Sequence, residues 1–535
     1  MSRAKEESHR ACCPVCNKDV RLRKCGRFFV HGPLEDRCQM SDHVPPQDVS
    51  ASLSQTKTQL NESPLSCQPT DDPHTLLSDI RFVKGRILRF VPRGSRVQWA
   101  STLTECIDRI LQDPADPAYW RRLLLAPSLC LKQPERGGHN RRPSLASVVN
   151  KQCSTFLSSS DLLSVATPSD TSHTRVRKFR NNDSRLPGIV SRKLDEGDIK
   201  GAVRLVSSSD TIAPFDEATL LKLREKHPPR PKDHRLFPTS NAPPLQIEMS
   251  EVRSAMDSFK AGSSGGLSGL RPQHLKDALC AKTCEASGRF LTSLTGLVNS
   301  ILAGNVPSCI QPVLFGAAVT AFNKKEGGVR PIAVGETIRR LSSKCASRAV
   351  RTHFSTMFSP AQVGFGVSGG SEAAVHASRS FIKDANPGDV ILKLDFSNAF
   401  NSMRRDHVAD CFFEEAPEIL PFYTLSYEND SILTFGDETL PSSEGFQQGD
   451  PLAVLGFCLG LNKQLCRLKS RFRIGYVDDV TLGDHWSTVL SDLCTFQAAC
   501  EKLGLHINPS KCELTICNSG LSLHDEAFHF SSTVS

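Results

Sequence analysis

Apolar residues along the chain change their spacing several times, and each change marks a unit. The first 45 or so residues are polar and rich in Cys and His, and Met40 to Thr75 is dominated by Ser, Thr, Pro and Gln, a composition that buries little and reads as a linker. From Arg81 to Leu131 apolar residues return. Trp99, Leu103, Cys106, Ile107, Ile110 and Leu111 recur at helical spacing until the DPADP sequence at Asp113 to Pro117, which predicts a small helical unit. Residues 132 to 190 are again polar and Ser-rich, so partial disorder is expected there. FDEATLLKLREKH (Phe215 to His227) predicts a helix that ends at Pro228, and a Pro-rich joint follows to about Pro244. Beyond it the chain reads as continuously folded. Short apolar strands such as Val390 to Leu394 and Ile474 to Leu482 alternate with helical stretches, among them one starting at Pro451 and one through Leu490, Leu493, Cys500 and Leu503 that stops at Gly504. No internal repeat interrupts this order.

Charge and composition narrow the field. Among 535 residues, 65 Lys+Arg face 57 Asp+Glu, leaving a formal +8 that suits a polyanionic partner without requiring one. Basic knots lie at Arg141 and Arg142 and in RVRKFR, Arg175 to Arg180. The N-terminal MSRAKEESHR has no apolar run behind it, and the longest apolar stretch, Pro451 to Leu461, is far short of the ~20 residues that cross a bilayer. An intracellular protein of the nucleus or cytoplasm, neither secreted nor membrane-bound, is expected. The 20 cysteines are scattered, which reads as reduced thiols with a few metal ligands.

The chemistry concentrates in two acidic sequences. In VILKLDFSNAF an apolar strand delivers Asp395 at its end, a costly place for a carboxylate unless it is paired or metal-bound. In RIGYVDDVTLGD the adjacent Asp478 and Asp479 interrupt a strand pattern and fit a hairpin turn; taken alone, such a pair is most simply a solvated turn. Three carboxylates brought to one point repel one another unless divalent cations sit among them. Two Mg²⁺ (or Mn²⁺) ions held by oxygen ligands are the known solution for in-line phosphoryl transfer.

LDFSNAF, QGDPL and YVDD, in that order, resemble the motifs of reverse transcriptases, and most nearly those of non-LTR (LINE-like) retrotransposons. The resemblance implies an α+β fold, a right-hand polymerase with a ferredoxin-like palm and fingers. It also implies RNA-directed DNA polymerase activity that extends a primer with dNTPs by two-metal-ion phosphoryl transfer, with an RNA template and a DNA primer or target as partners. Asp395, Asp478 and Asp479 would hold the ions. Phe400 would lie under the incoming sugar and exclude a 2′-hydroxyl, with an ordinary core phenylalanine as the alternative. Gln448 and Gly449, and Tyr476 of YVDD, would contact nucleotide or template, while Asp450 and Pro451 read as the cap and first residue of a helix. VTAFNKKEGGVRPIAV reads as two strands joined at Glu326, Gly327 and Gly328. By resemblance it is the fingers hairpin, with Arg330 and Lys324 or Lys325 on the triphosphate; solvated charges on an edge strand are the alternative. Lys511, in LHINPSKCEL, would protonate pyrophosphate or simply add positive charge at the surface. The Gly-rich segment Ala261 to Asp277 resembles a template-contacting stretch, and is otherwise a flexible loop.

Cys13, Cys16, His31 and Cys38, spaced C-x₂-C-x₁₄-H-x₆-C, suit tetrahedral Zn²⁺, with Cys12 and Cys25 as alternative ligands and fortuitous cysteines in a disordered arm as the other reading. Arg21, Arg23, Lys24 and Arg27 between them would give such a finger a basic face. RFVKGRILRFVPRGSR interleaves Phe82 and Phe90 with basic residues in a way that suits nucleic acid or a charged amphipathic surface. The expected organisation is therefore a zinc-finger-like segment at 1–45, a linker at 46–78, a helical unit at 79–131 and a basic, partly disordered region with short helices at 132–245. The N-terminal extension and fingers follow at 246–345, the palm at 346–520 and a tail at 521–535. Only 24 residues follow Lys511 (535 − 511), so a thumb is expected to be missing or truncated, and no nuclease domain is evident. Two other functions compete: an RNA-dependent RNA polymerase, against which Phe400 speaks, and a nucleic-acid-binding protein on an inactive polymerase core.

Overall fold

The computed structural model describes residues 10–12, 19–21, 72–134, 143–164, 186–195, 197–207, 211–279, 285–324 and 327–517. The chain divides into two units, Met1–Ser66 and Cys67–Ser535. In the first, β1 (Arg10–Cys12) pairs antiparallel with β2 (Asp19–Arg21), with Cys12 opposite Asp19. The expected zinc ligands Cys13, Cys16, His31 and Cys38 lie outside the described residues, as does Lys325.

The second unit begins with helices Pro73–Val83, Arg96–Gln112, Pro117–Cys130 and Leu145–Ser158. Asp72, Asp116 and Ser144 cap three of them by accepting from His74 N, Ala118 N and Ser147 N, and Pro73 and Pro117 occupy first-turn positions where no amide is needed. This helical unit is wider than 79–131. Its first helix starts inside the stretch expected to be linker, and its last lies in the Ser-rich region expected to be partly disordered with short helices. Val149, Cys153 and Phe156 are buried at i, i+4 and i+7 spacing, a short apolar stripe that the surrounding serines obscure. The unit is fastened to the rest by Trp99 Nε1 donating to His274 O at 3.1 Å and by Arg96 paired with the fully buried Asp277 at 2.8 Å. Phe82 and Phe90 are both exposed.

Two four-stranded sheets follow. One contains β3 (Ala317–Asn323) and β4 (Val329–Gly335), an antiparallel hairpin as the sequence predicts. The other is built on β5 (Asp389–Leu394), and a two-residue β6 (Phe396–Ser397) continues the chain. Strands β7 (Ser431–Phe435) and β8 (Glu438–Ser442) return to the first sheet in the order β4-β3-β7-β8. A hairpin from within the expected palm thereby extends the sheet of the expected fingers. β9 (Phe472–Tyr476), β10 (Asp479–His485), β11 (His506–Ile507) and β12 (Glu513–Ile516) complete the set: β12-β5-β10-β9 form the second sheet, and β11 pairs with β6. Val390, Ile391, Leu392 and Leu394 of β5 are all buried, because β5 is central in its sheet, while Lys393 between them is exposed. Helix Pro451–Cys466 packs against helix Arg405–Glu415 and against Trp486–Lys502, which in turn packs on β5 and β10. Among the described residues, no helix is long and apolar enough to cross a membrane.

The Gly-rich segment is not a free loop. Ser268 donates from its backbone N–H (2.6 Å) and its hydroxyl (2.7 Å) to the buried Glu336 carboxylate, and a Cβ on Gly266 would lie 2.6 Å from Glu336 Cα. The lack of a side chain at Gly266 is required by this close approach within the protein.

Candidate active site

Antiparallel pairing of β5 with β10 sets Leu394 opposite Val480, so Asp395, the next residue of one strand, comes alongside the turn that precedes the other. In the β9–β10 hairpin Tyr476 pairs with Asp479. The two-residue turn is therefore Val477 and Asp478, and Asp479 is the first residue of β10 rather than part of the turn, where the sequence reading set both acids. Val477 sits at φ 61°, a region that β-branched residues rarely enter. The fully buried Gln362 holds it there: its Oε1 accepts from Val477 N at 2.9 Å and its Nε2 donates to Val477 O at 3.1 Å. Alongside, Gly475 N donates to Ala361 O and Val363 N to Gly475 O, so residues 361–363 run beside β9. Gly364 must lack a side chain, since a Cβ there would stand 2.3 Å from Val477 N.

Asp395 and Asp478 line one cavity of about 170 Å³ with Lys324, Arg330, Phe400, Gln448 and Lys511. The structure thus brings together seven residues that the sequence singles out. Of the others described, Tyr476, Asp479 and Gly449 are all exposed, and none of the three lines the cavity. Electrostatics still link the acids. Burial raises the Asp478 carboxyl above the usual range, and the charges of Asp479 and Asp395 add to that, while Arg330 opposes it. Lys324 is lowered, first by burial and then by the neighbouring cations Lys226, Lys511 and Arg330. Phe400 is half-buried and stacks on Phe457 with ring centroids 4.9 Å apart.

The loop bearing Gln448 is anchored from below. Asp450 caps helix Pro451–Cys466 by accepting from Leu452 N at 3.1 Å, as expected, and its second oxygen accepts from Arg339 at 2.8 Å and Tyr427 OH at 2.5 Å. Arg339 also donates to Gln447 Oε1 and Phe315 O. Ala333 N of β4 donates to Gln448 O at 3.0 Å, joining the first sheet to the loop, and Gly449 adopts φ 135° where a Cβ would meet Ala333 O at 2.5 Å. On the opposite side Asn508 N donates to Asp395 O at 2.8 Å, which positions the turn Pro509–Lys511.

Sequence reasoning missed Gln362, Arg339 and Lys226. Each acts through tertiary contacts with segments distant in sequence, for which spacing carries no signal. A divalent cation fits this donor set on one observation: burial, and then the charges of Asp479 and Asp395, raise the proton affinity of Asp478, a penalty that positive charge relieves. Among the described residues, no three acidic, histidine or cysteine side chains are drawn together as a ready-made cage. An ion here would need water and substrate oxygens to complete its shell, as Mg²⁺ habitually does.

Residues 322–530 match the reverse transcriptase (RNA-dependent DNA polymerase) family. That match runs from the end of β3 past Lys511 and takes in all three aspartates. Among solved structures, the apo telomerase from Candida tropicalis is similar at 11% identity and a TM-score of 0.30, over 38% of this chain and 44% of the telomerase chain. The match therefore spans less than half of that telomerase. No curated protein matches the chain.

Proposed function

We propose that the protein extends a DNA primer on an RNA template with dNTPs, as the reverse transcriptase of a non-LTR retrotransposon. The observation that carries this reading is the shared cavity of Asp395 and Asp478, walled by Arg330, Lys324 and Lys511 and floored near Phe400. Asp395, Asp478 and Asp479 would hold two Mg²⁺ or Mn²⁺ ions, which when bound lower the pKa of a primer 3′-hydroxyl and neutralise the departing pyrophosphate. Arg330 and Lys324, with Lys325, orient the triphosphate, and Lys511 donates a proton or positive charge on the leaving-group side. Phe400, held by its stack on Phe457, excludes the ribose 2′-hydroxyl. Gln448 and Gly449 contact the nucleotide, and Tyr476 the template or primer end.

In this reading the β3–β4 hairpin belongs to the fingers and the sheet β12-β5-β10-β9 to the palm. Cys13, Cys16, His31 and Cys38 bind Zn²⁺ in a basic finger that contacts RNA or target DNA. The test of the reading is extension of oligo(dT) on poly(rA) with Mg²⁺. The expected result is incorporation of dTTP, little of UTP, and none in EDTA. Equal use of UTP would make the protein an RNA polymerase, and RNA binding without extension would make it a binding protein on an inactive core.

A further inference from the structure

Lys226 closes helix Glu217–Lys226, which ends 96 residues (322 − 226) before the matched segment begins. The end of that helix is tied to the active site. The carbonyl of Lys226 accepts from Asn398 Nδ2 at 2.9 Å and from Asn401 Nδ2 at 2.8 Å. Both asparagines belong to the short turn after Asp395, and Asn398 takes a left-handed conformation, φ 55°. Carbonyls at a helix C-terminus lack intrahelical partners, so these two amides both satisfy one and fix where the helix stops.

The result is that Lys226 lines the same cavity as Asp395, Asp478, Arg330, Lys324 and Lys511. Its charge is the largest single influence of any neighbouring ion on Lys324, after burial. Among the described residues, no carboxylate lies within ion-pair distance of Lys226 or Lys324, and the charge of Asp395 acts on Lys324 only from farther away. A lysine in the last turn of a helix also answers the helix dipole, but that role needs only a solvent-facing position. Here four cations surround two acids. Such a cluster suits a polyanion, and four cations converging on one cavity favour the concentrated charge of a nucleotide triphosphate over the single charge of each phosphodiester in a bound strand.

We propose that Lys226 is a further cation of the nucleotide triphosphate site, supplied by a helix outside the matched segment and held in place by Asn398 and Asn401. The proposal rests on the polymerase reading above for the identity of the ligand, and two measurements on the full chain separate them: the dTTP dependence of primer extension and the binding of inorganic tripolyphosphate. The hydrogen bonds that fix the helix end use the backbone of Lys226, so Lys226→Gln leaves them intact and its melting temperature should match wild type. Loss of a charge-assisted phosphate contact predicts a KM for dTTP raised about tenfold with kcat little changed, weaker tripolyphosphate binding, and recovery of both in Lys226→Arg. If wild type extends primers and Lys226→Gln keeps its KM, Lys226 is not in the site and the polymerase reading stands. A loss confined to primer–template affinity would assign Lys226 to a nucleic-acid strand and overturn the proposal. If wild type extends nothing while Lys226→Gln still loses tripolyphosphate, the polymerase reading fails and the anion site remains.

Discussion

Gln362 grips the backbone of Val477 from both sides, accepting from its N–H at 2.9 Å and donating to its C=O at 3.1 Å across 115 residues of sequence. A β-branched residue at positive φ costs roughly 1–3 kcal/mol, and two part-buried hydrogen bonds of about 1 kcal/mol each offset much of that. The strained residue immediately precedes Asp478, so the direction of that carboxylate depends on a side chain from outside the hairpin.

Gln362→Ala should therefore lower kcat more than it raises the KM for dTTP, and should destabilise the fold by about 1–3 kcal/mol. Adding Val477→Gly should recover part of the stability, because glycine enters positive φ freely. Single-turnover extension and urea denaturation of the single and double variants check this; identical stability in wild type and Gln362→Ala would show that the clamp carries no energy.

The Arg339 and Asp450 side chains form an ion pair almost wholly shielded from water, at 2.8 Å. Removing the cation with Arg339→Ala leaves a buried charge unpaired and should cost about 3–5 kcal/mol, whereas Tyr427→Phe, which deletes one hydrogen bond to the same carboxylate, should cost about 1 kcal/mol. Chemical denaturation distinguishes the two, and comparable losses would contradict the ranking.

Burial and its acidic neighbours raise the Asp478 carboxyl, so between the unfolded and folded values the folded chain binds more protons than the unfolded one. Without metal, the contribution of this group to stability is fully present at low pH and is lost as pH rises through the folded value. At neutral pH in EDTA, Asp478→Asn should then melt higher than wild type while losing catalysis. Mn²⁺ or Mg²⁺ should raise the melting temperature of wild type and have a smaller effect on the variant. Scanning calorimetry with and without the ion reads both, and a variant that melts lower in EDTA would mean that Asp478 is not under repulsion.

Phe400 lies at the cavity wall with its ring stacked on Phe457. Phe400→Val should reduce discrimination against UTP relative to dTTP by about 10–200-fold, the range a steric contact of this size supplies. The ratio of kcat/KM values measures it; unchanged discrimination would return Phe400 to a purely packing role.

The residues legible in the sequence are those whose local pattern carries the information. Asp395 follows a largely apolar stretch because β5 is central in its sheet and mostly buried, and Asp450-Pro451 announces a helix start by capping chemistry alone. The β3–β4 hairpin is likewise visible in its glycines and alternation. What spacing could not show is assembly across distance. Gln362 is one polar residue in an unremarkable stretch until the register of β9 places it under Val477, and Lys226 looks like the end of a surface helix until Asn398 and Asn401 take hold of its carbonyl. The helix Leu145–Ser158 escaped notice for the opposite reason, since its serines masked a three-residue apolar stripe. Assigning both adjacent acids to the turn failed because the turn takes Val477 as its first residue, which only the Gln362 clamp makes tenable.

The central claim is that Asp395 and Asp478, from separate strands, work at one metal-assisted centre. Its most direct test is the rate of oligo(dT) extension on poly(rA) with dTTP and Mg²⁺ for wild type and Asp395→Ala, both verified as folded by circular dichroism. Ion-borne charge stabilisation is worth several kcal/mol, so the substitution should slow extension by about a thousandfold or more while template affinity stays close to wild type. Extension by Asp395→Ala at a rate near that of wild type would contradict the account.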